Sequence, residues 1–394
     1  MDLSGKIKQL SEQFFEEIVA FRRYMHQHPE LSFEEYNTAD FIEKKLSEHG
    51  FSPKGMAKTG LVVLIKGKNP DKKTVALRAD IDALPIEEQN KCDYVSQNKG
   101  VMHACGHDVH AASLYGAMLI LQQLKDEFEG TVKCIFQPGE EKLPGGASLM
   151  IKEGVLEKPN VSEIIGQHVF PELDAGKVGF KPGMYMASCD EIYITVKGKG
   201  GHGAMPHQNI DPVATAAQII TTLQQIVSRN ANPTVPSVLS IGKIIGNGAT
   251  NIIPNEVYME GTFRTMNEEW REQAHYQITN ICSGVAKSFG ATCEVNIIKG
   301  YPYLENNVEL TQELKKAAIE FLGEENVVDL PIRMTGEDFA YYSQKVPACF
   351  YRLGVRNEAK GIIHPVHNPK FDIDEKALKT GASLLAWNAL WLLK

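Results

Sequence analysis

The sequence lacks the marks of several simple protein classes. It has no CxxC pair, and its seven cysteines stand singly at 92, 105, 134, 189, 282, 293 and 349. An odd, dispersed set of thiols in a large chain excludes a disulfide framework and reads as reduced protein of the cytosol. The net charge is −8, from 41 basic and 49 acidic side chains, and no basic run interrupts it. That argues against a nucleic-acid partner. The most apolar stretch, 382–393, is too short to span a bilayer and carries Ser383 and Asn388, so no membrane partner is expected. The opening, MDLSGKIKQLSEQFFEEIVAF, is amphipathic and acidic, without the apolar centre and small-residue cleavage site of a secretory signal. A cytoplasmic protein is therefore expected. GxxxxGK[ST], HExxH and GxSxG are all absent, which removes the phosphate-loop, zincin and serine-hydrolase readings. Gly198-Lys199-Gly200-Gly201 is phosphate-like in its glycines, but no matching helix start follows it.

What is present is ordinary globular composition, 43% hydrophobic and 23% charged over 394 residues. That length exceeds what one core usually serves, so two domains are expected. Ile7, Leu10, Phe14, Ile18 and Phe21 recur at helical spacing, and a second helix is expected over 38–46. Short apolar runs follow at 61–65, 74–77, 131–136 and 164–165, with a helix-like segment at 111–124 among them. Buried strands alternating with helices predict an α/β sheet, mostly parallel. From Cys189 the rhythm changes. Ile192, Ile194 and Val196 alternate along a strand, and Asp211-Pro212 opens a helix with Asp as N-cap and Pro at the first helical position. Strands at 237–245 and 256–262, a helix after Asn267 and a strand at 293–298 complete the order βαββαβ, the ferredoxin-like arrangement. The expectation is a domain over 188–300 inserted into another formed by 1–187 and 301–394. The latter closes with a strand at 348–353 and a helix from about Asp374.

In open α/β sheets ligands bind beyond the carboxyl ends of the strands. The run ending at Leu77 leads to Arg78-Ala79-Asp80-Ile81-Asp82, and the run ending at Phe136 leads to Gln137-Pro138-Gly139-Glu140-Glu141. Gly166-Gln167-His168 follows 164–165, His103-Ala104-Cys105-Gly106-His107-Asp108 lies between, and His364-Pro365-Val366-His367 stands far downstream. Cys105-Gly106-His107 reads as an extended segment with a thiol and an imidazole on one side, both ligands for zinc or a similar metal. Glu140-Glu141 puts one carboxylate where it can bind metal and the other where it can act as base. Taken singly, each has a plainer reading. Paired acids are often a solvated surface pair or turn caps, His168 could be a satisfied core histidine, and spacing leaves His364 and His367 open. Their joint arrival at strand ends carries the inference.

These residues fall in blocks that resemble the M20 metallopeptidases, in particular the amidohydrolase branch of hippurate hydrolases, N-acyl-amino-acid and N-acetyl-diaminopimelate deacetylases and plant auxin-conjugate hydrolases. The blocks are HQHPEL at 26–31, LRADIDALP at 77–85, MHACGHD at 102–108, FQPGEE at 136–141, GHGAMPH at 201–207, GTFR at 261–264, GEDF at 336–339 and HNPKF at 367–371. The resemblance implies a catalytic α/β domain with an inserted lid that also dimerises. It implies two divalent metal ions held by Cys105, His107, Glu141, His168 and His367, zinc first, with manganese, cobalt or nickel as alternatives. Cys105 takes the place of a bridging carboxylate, and Glu140 matches the general base. Asp82 matches an acid that orients a ligand histidine, while Asp80 stands where related branches carry a metal-binding histidine. From the lid, His202 matches an oxyanion-stabilising histidine that reaches a partner subunit's site, Arg264 and Asn251 are placed for a substrate carboxylate, and His207 reads as lid packing. The implied reaction is hydrolysis of a small N-acyl amino acid or short peptide by a homodimer or higher homo-oligomer. A carboxypeptidase or dipeptidase is the alternative within the same mechanism. A thiol hydrolase using Cys105 with His107 or His103 leaves Glu141, His168 and His367 unexplained, and a binding protein would need no base beside Glu141.

Overall fold

The computed structural model describes residues 2–394. The chain forms two compact units, one from residues up to 184 with 305–332 and 338–394, the other from 185–304 with 333–337.

The first unit is built on an eight-stranded sheet. Its order is Lys54–Met56, Gly60–Lys66, Thr131–Gln137, Thr74–Asp80, Glu163–Asp174, Ala348–Arg356, Val178–Phe180 and Val327–Asp329. The central neighbours Thr131–Gln137, Thr74–Asp80, Glu163–Asp174 and Ala348–Arg356 all run parallel, while Gly60–Lys66 and Val178–Phe180 join them antiparallel. Every position of Thr74–Asp80 and of Thr131–Gln137 is buried, as a sheet covered on both faces requires. Helix His107–Gln123 packs against Ala377–Leu392 and Phe15–Gln27. The first two are apolar nearly all round and almost wholly buried, which fits helices enclosed by other layers. The α/β sheet expected from the sequence is thus present, mostly parallel and flanked by helices.

Several boundaries differ from the sequence reading. The N-terminal pattern forms two helices, Leu3–Gln13 and Phe15–Gln27. The strand expected at 164–165 runs on through Pro171 to Asp174. The C-terminal helix starts at Ala377, because Asp374 is held outside it: its N–H donates to Val355 O, and its carboxylate accepts from Asn357 Nδ2 and Lys360 Nζ.

The second unit carries a four-stranded antiparallel sheet in the order Ser237–Ile245, Glu256–Thr265, Asp190–Lys197, Thr292–Lys299. Ile192, Ile194 and Val196 point to one face and pack with Ala216, Ile219 and Leu223 of helix Pro212–Gln225 and with Ile278 and Cys282 of helix Glu268–Ser288. Asp211 caps the first of these helices through the N–H groups of Val213 and Ala214, and Asn267 caps the second through Trp270 N–H. Buried Asp190 opens the first strand and pairs with Arg271 and His275 of the second helix. Among the described residues no helix is long and apolar enough to cross a membrane.

Candidate metal centre

All the strand-end residues singled out above lie in the first unit, and local backbone conformation aims them inward. Gly106 adopts φ 81°, and a Cβ there would stand 2.6 Å from Val169 Cγ2. A left-handed turn pressed against a neighbouring strand admits only glycine. Cys105-Gly106-His107 is therefore not extended, contrary to the sequence reading. The chain turns at Gly106, and His107 opens helix His107–Gln123. Gly139, at φ 56°, turns the chain after Thr131–Gln137 so that Glu140 is buried and Glu141 half-buried. His367 is itself left-handed at φ 62°, and its N–H donates to Ala104 O at 2.8 Å, which ties it to the Cys105 segment.

The side chains meet as follows. Cys105 Sγ lies 3.5 Å from His168 Nε2, and the other ring nitrogen of His168 lies 2.8 Å from Val169 O. The carbonyl fixes the proton on Nδ1 and leaves Nε2 as a lone-pair donor toward the thiol. His107 does the same through Asp82, with Nδ1 3.1 Å from Asp82 Oδ1, while its buried Nε2 has no hydrogen-bond partner. Glu141 Oε1 is also buried without a hydrogen-bond partner and lies 3.2 Å from His367 Nε2. Ligand atoms of Cys105, His107 and His168 lie within 4.8 Å of one another, and so do those of Cys105, Glu141 and His367. Cys105 belongs to both groups. An imidazole nitrogen and a carboxylate oxygen left buried and unpaired beside a thiol common to both groups fit a transition metal, since such atoms otherwise cost free energy unpaired.

The electrostatics agree. Burial pushes the Cys105 thiol well up, and Glu141, Glu140 and Asp80 push it further. For His107 burial acts downward, but Asp80, Asp82 and Glu141 outweigh it and raise the imidazolium to about 10. Both shifts report surplus negative charge that a cation would balance. His168 is driven well below the usual range by burial and Arg352, which leaves it in the neutral form a ligand needs. The raised thiol also disfavours a cysteine nucleophile. The ring beside Cys105 Sγ at hydrogen-bond distance is that of His168, not of His107 or His103, and both His103 ring nitrogens are buried without hydrogen-bond partners.

Glu140 is buried, and its Oε1 accepts from Asp338 N–H at 3.3 Å. His364, half-buried, belongs to none of the candidate groups among the described residues. His202, Asn251 and Arg264 lie in the second unit. Exposed His202 sits in a two-stranded antiparallel pairing opposite Ile252, its Nδ1 accepting from Ala204 N–H, and Gly203 N–H donates to Asn251 O. Arg264 lies in another strand and donates to Met334 O at 3.1 Å. His207 is exposed in a short turn, so it is not a packing histidine within this unit.

Sequence reasoning missed His110 and the part played by Arg78 and Asp338. Arg78 donates to Asp80 at 2.6 Å, to Asp338 at 2.7 Å and to Gln137 at 2.9 Å, all fully buried. The available signal for His110 was its place one helical turn after His107, on the same face.

A buried carboxylate beside clustered Cys, His and Glu donors, at the strand ends of an α/β sheet, is the equipment of a metal-dependent hydrolase. The chain belongs to peptidase family M20/M25/M40, whose model matches residues 76–388. It is similar to thermostable carboxypeptidase 1 of Saccharolobus solfataricus, 40% identical over 386 residues with 97% of each chain covered. It is also similar to N-acetyl-L-cysteine deacetylase of Bacillus subtilis, 39% identical over 378 residues, covering 96% of this chain and 88% of the relative. The crystal structure of a Bacillus subtilis dinuclear metal binding peptidase from the M20 family matches with a TM-score of 0.83 at 36% identity, covering 97% of this chain and 99% of that one.

Proposed function

We propose that this protein hydrolyses the amide bond of N-acyl amino acids, releasing an acyl group such as acetyl or benzoyl, with two divalent metal ions held by Cys105, His107, Glu141, His168 and His367. The observation that carries the reading is Cys105, whose thiol is common to two separate groups of metal-ligating atoms. A thiolate with imidazoles and a carboxylate suits zinc. Bound there, the ions would act as Lewis acids toward the amide carbonyl and acidify the attacking water. Glu140 takes the proton of that water and returns it to the leaving nitrogen. Asp82 fixes the His107 tautomer.

We read the second unit, by its βαββαβ order, as a ferredoxin-like lid and dimerisation domain. In this reading His202 donates to the developing oxyanion, while Arg264 and Asn251 take the substrate carboxylate. The deacetylase relative supports an N-acyl amino acid as substrate. The carboxypeptidase relative supports a second reading, release of a C-terminal residue from a peptide.

One experiment tests both. The protein is stripped with chelator, reloaded with zinc, manganese, cobalt or nickel in turn, and assayed on N-acetyl amino acids, N-benzoyl amino acids and dipeptides. Metal-restored turnover of the N-acyl compounds is expected. Turnover of dipeptides alone would favour the carboxypeptidase reading, and full activity of the metal-free protein would reject both.

A further inference from the structure

His110 is fully buried one turn into helix His107–Gln123, and both of its ring nitrogens are engaged. Nε2 accepts the backbone N–H of Val169 at 2.9 Å, so it carries no proton. The proton is therefore on Nδ1, which lies 2.5 Å from Asp80 Oδ1. The other oxygen of Asp80 accepts from Arg78 Nη1 at 2.6 Å. Asp80 thus ends its strand with both oxygens taken, although it lies near the centre, its Oδ2 3.6 Å from His107 Nε2. Ligand atoms of Asp80, His107 and His110 fall within 4.8 Å of one another, so Asp80 is close enough to compete for a cation.

We propose that His110 is a positioning residue that, with Arg78, holds the Asp80 carboxylate out of the metal shell and thereby sets the centre's preference for metals that favour thiolate and imidazole. The inference rests on the metal-binding reading above. An extra carboxylate oxygen would favour harder, oxygen-seeking ions such as manganese over zinc. His110 ties Asp80 at one nitrogen and, at the other, the backbone next to His168. It thus separates two neighbouring strand ends that supply different groups.

The two tasks can be separated by amide substitution. His110→Gln places its amide oxygen near the former Nε2, keeping the Val169 contact and releasing Asp80. His110→Asn places its amide nitrogen near the former Nδ1, keeping the Asp80 contact. Competitive loading with zinc and manganese, followed by elemental analysis, should show the zinc-over-manganese preference of His110→Gln reduced roughly tenfold or more, the scale of effects on residues behind metal ligands. His110→Asn should keep the wild-type preference. With cobalt bound, His110→Gln should show weaker visible absorption, as a higher coordination number gives, and the His110→Gln/Asp80→Asn double variant should revert on both readouts. Asp80→Asn alone should keep both ions. An unchanged preference and cobalt spectrum in folded His110→Gln, or loss of an ion in Asp80→Asn, overturns the inference. If His110→Gln fails to fold, the same metal competition on His110→Ala, which also releases Asp80, decides it, an unchanged preference again overturning the inference. A wild-type chain that does not bind two ions overturns the metal-binding reading itself.

Discussion

Asp82 Oδ1 lies 3.1 Å from His107 Nδ1, while its second oxygen accepts from Ser32 Oγ at 2.6 Å and from the Glu141 N–H at 3.0 Å. One carboxylate therefore orients an imidazole and fixes the backbone of the residue whose side chain faces that imidazole. Replacing it by alanine should weaken metal affinity by about 10–100-fold, the usual cost of losing a group behind a ligand histidine. Chelator competition measures this, and an unchanged affinity would remove Asp82 from the centre.

Glu140→Gln should bind metal normally and fold normally, yet lose turnover by about 10²–10⁴-fold, since an amide cannot take the water's proton. Steady-state kinetics on fully loaded protein checks this. A kcat near that of the wild type would assign the proton transfer elsewhere.

His367→Ala should lose metal, and His364→Ala should not. Glu141 Oε1 lies 3.2 Å from His367 Nε2, whereas His364 joins no candidate group among the described residues. Elemental analysis of the two purified variants decides between them.

Much of this centre was legible because strand ends can be read from apolar runs, and the residues after each run are those that converge. The helix cap Asp211 and the helix start after Asn267 were legible too, since helix-start signals are local. The turn at Gly106 was not. Its left-handed backbone is enforced by Val169, 63 residues downstream by the numbering, and no local pattern carries that contact. His110 escaped notice for a similar reason, because its partners Asp80 and Val169 belong to two other strands. Pro171 disguised the length of its strand, as proline breaks the expected ladder.

His202→Ala should lower kcat more than it raises KM, by about 10²–10³-fold, as removal of an oxyanion donor does. Mixing inactive Glu140→Gln and inactive His202→Ala proteins tests whether it works across subunits. Activity should reappear after subunit exchange. Proven exchange without recovery would confine His202 to its own chain.

Asp190→Asn should destabilise the protein by about 3–5 kcal/mol at neutral pH, because Arg271 loses its buried counter-charge and His275 its hydrogen-bond partner. Burial acts to raise the Asp190 carboxyl, but Arg271 and His275 outweigh it and hold it below the ordinary range. A depressed carboxyl contributes stability that is present above its unfolded value of about 3.9 and is lost as pH falls through the folded value. Urea unfolding from about pH 5 down to pH 3 should therefore show a steeper loss in wild type than in Asp190→Asn. Parallel curves would refute the assignment.

The strand Ala348–Arg356 sits inside the eight-stranded sheet, between Glu163–Asp174 and Val178–Phe180, and His367 follows it in the chain. During synthesis from the N-terminus, the gap beside Glu163–Asp174 stays open until that late strand emerges. The nascent chain therefore exposes an unpaired parallel edge for the whole time the second unit is being made, the condition under which chaperones engage a chain. Metal capture waits longer still. Its last proposed ligand leaves the ribosome after the sheet closes, so an early-bound ion would find Cys105, His107, Glu141 and His168 without their fifth companion.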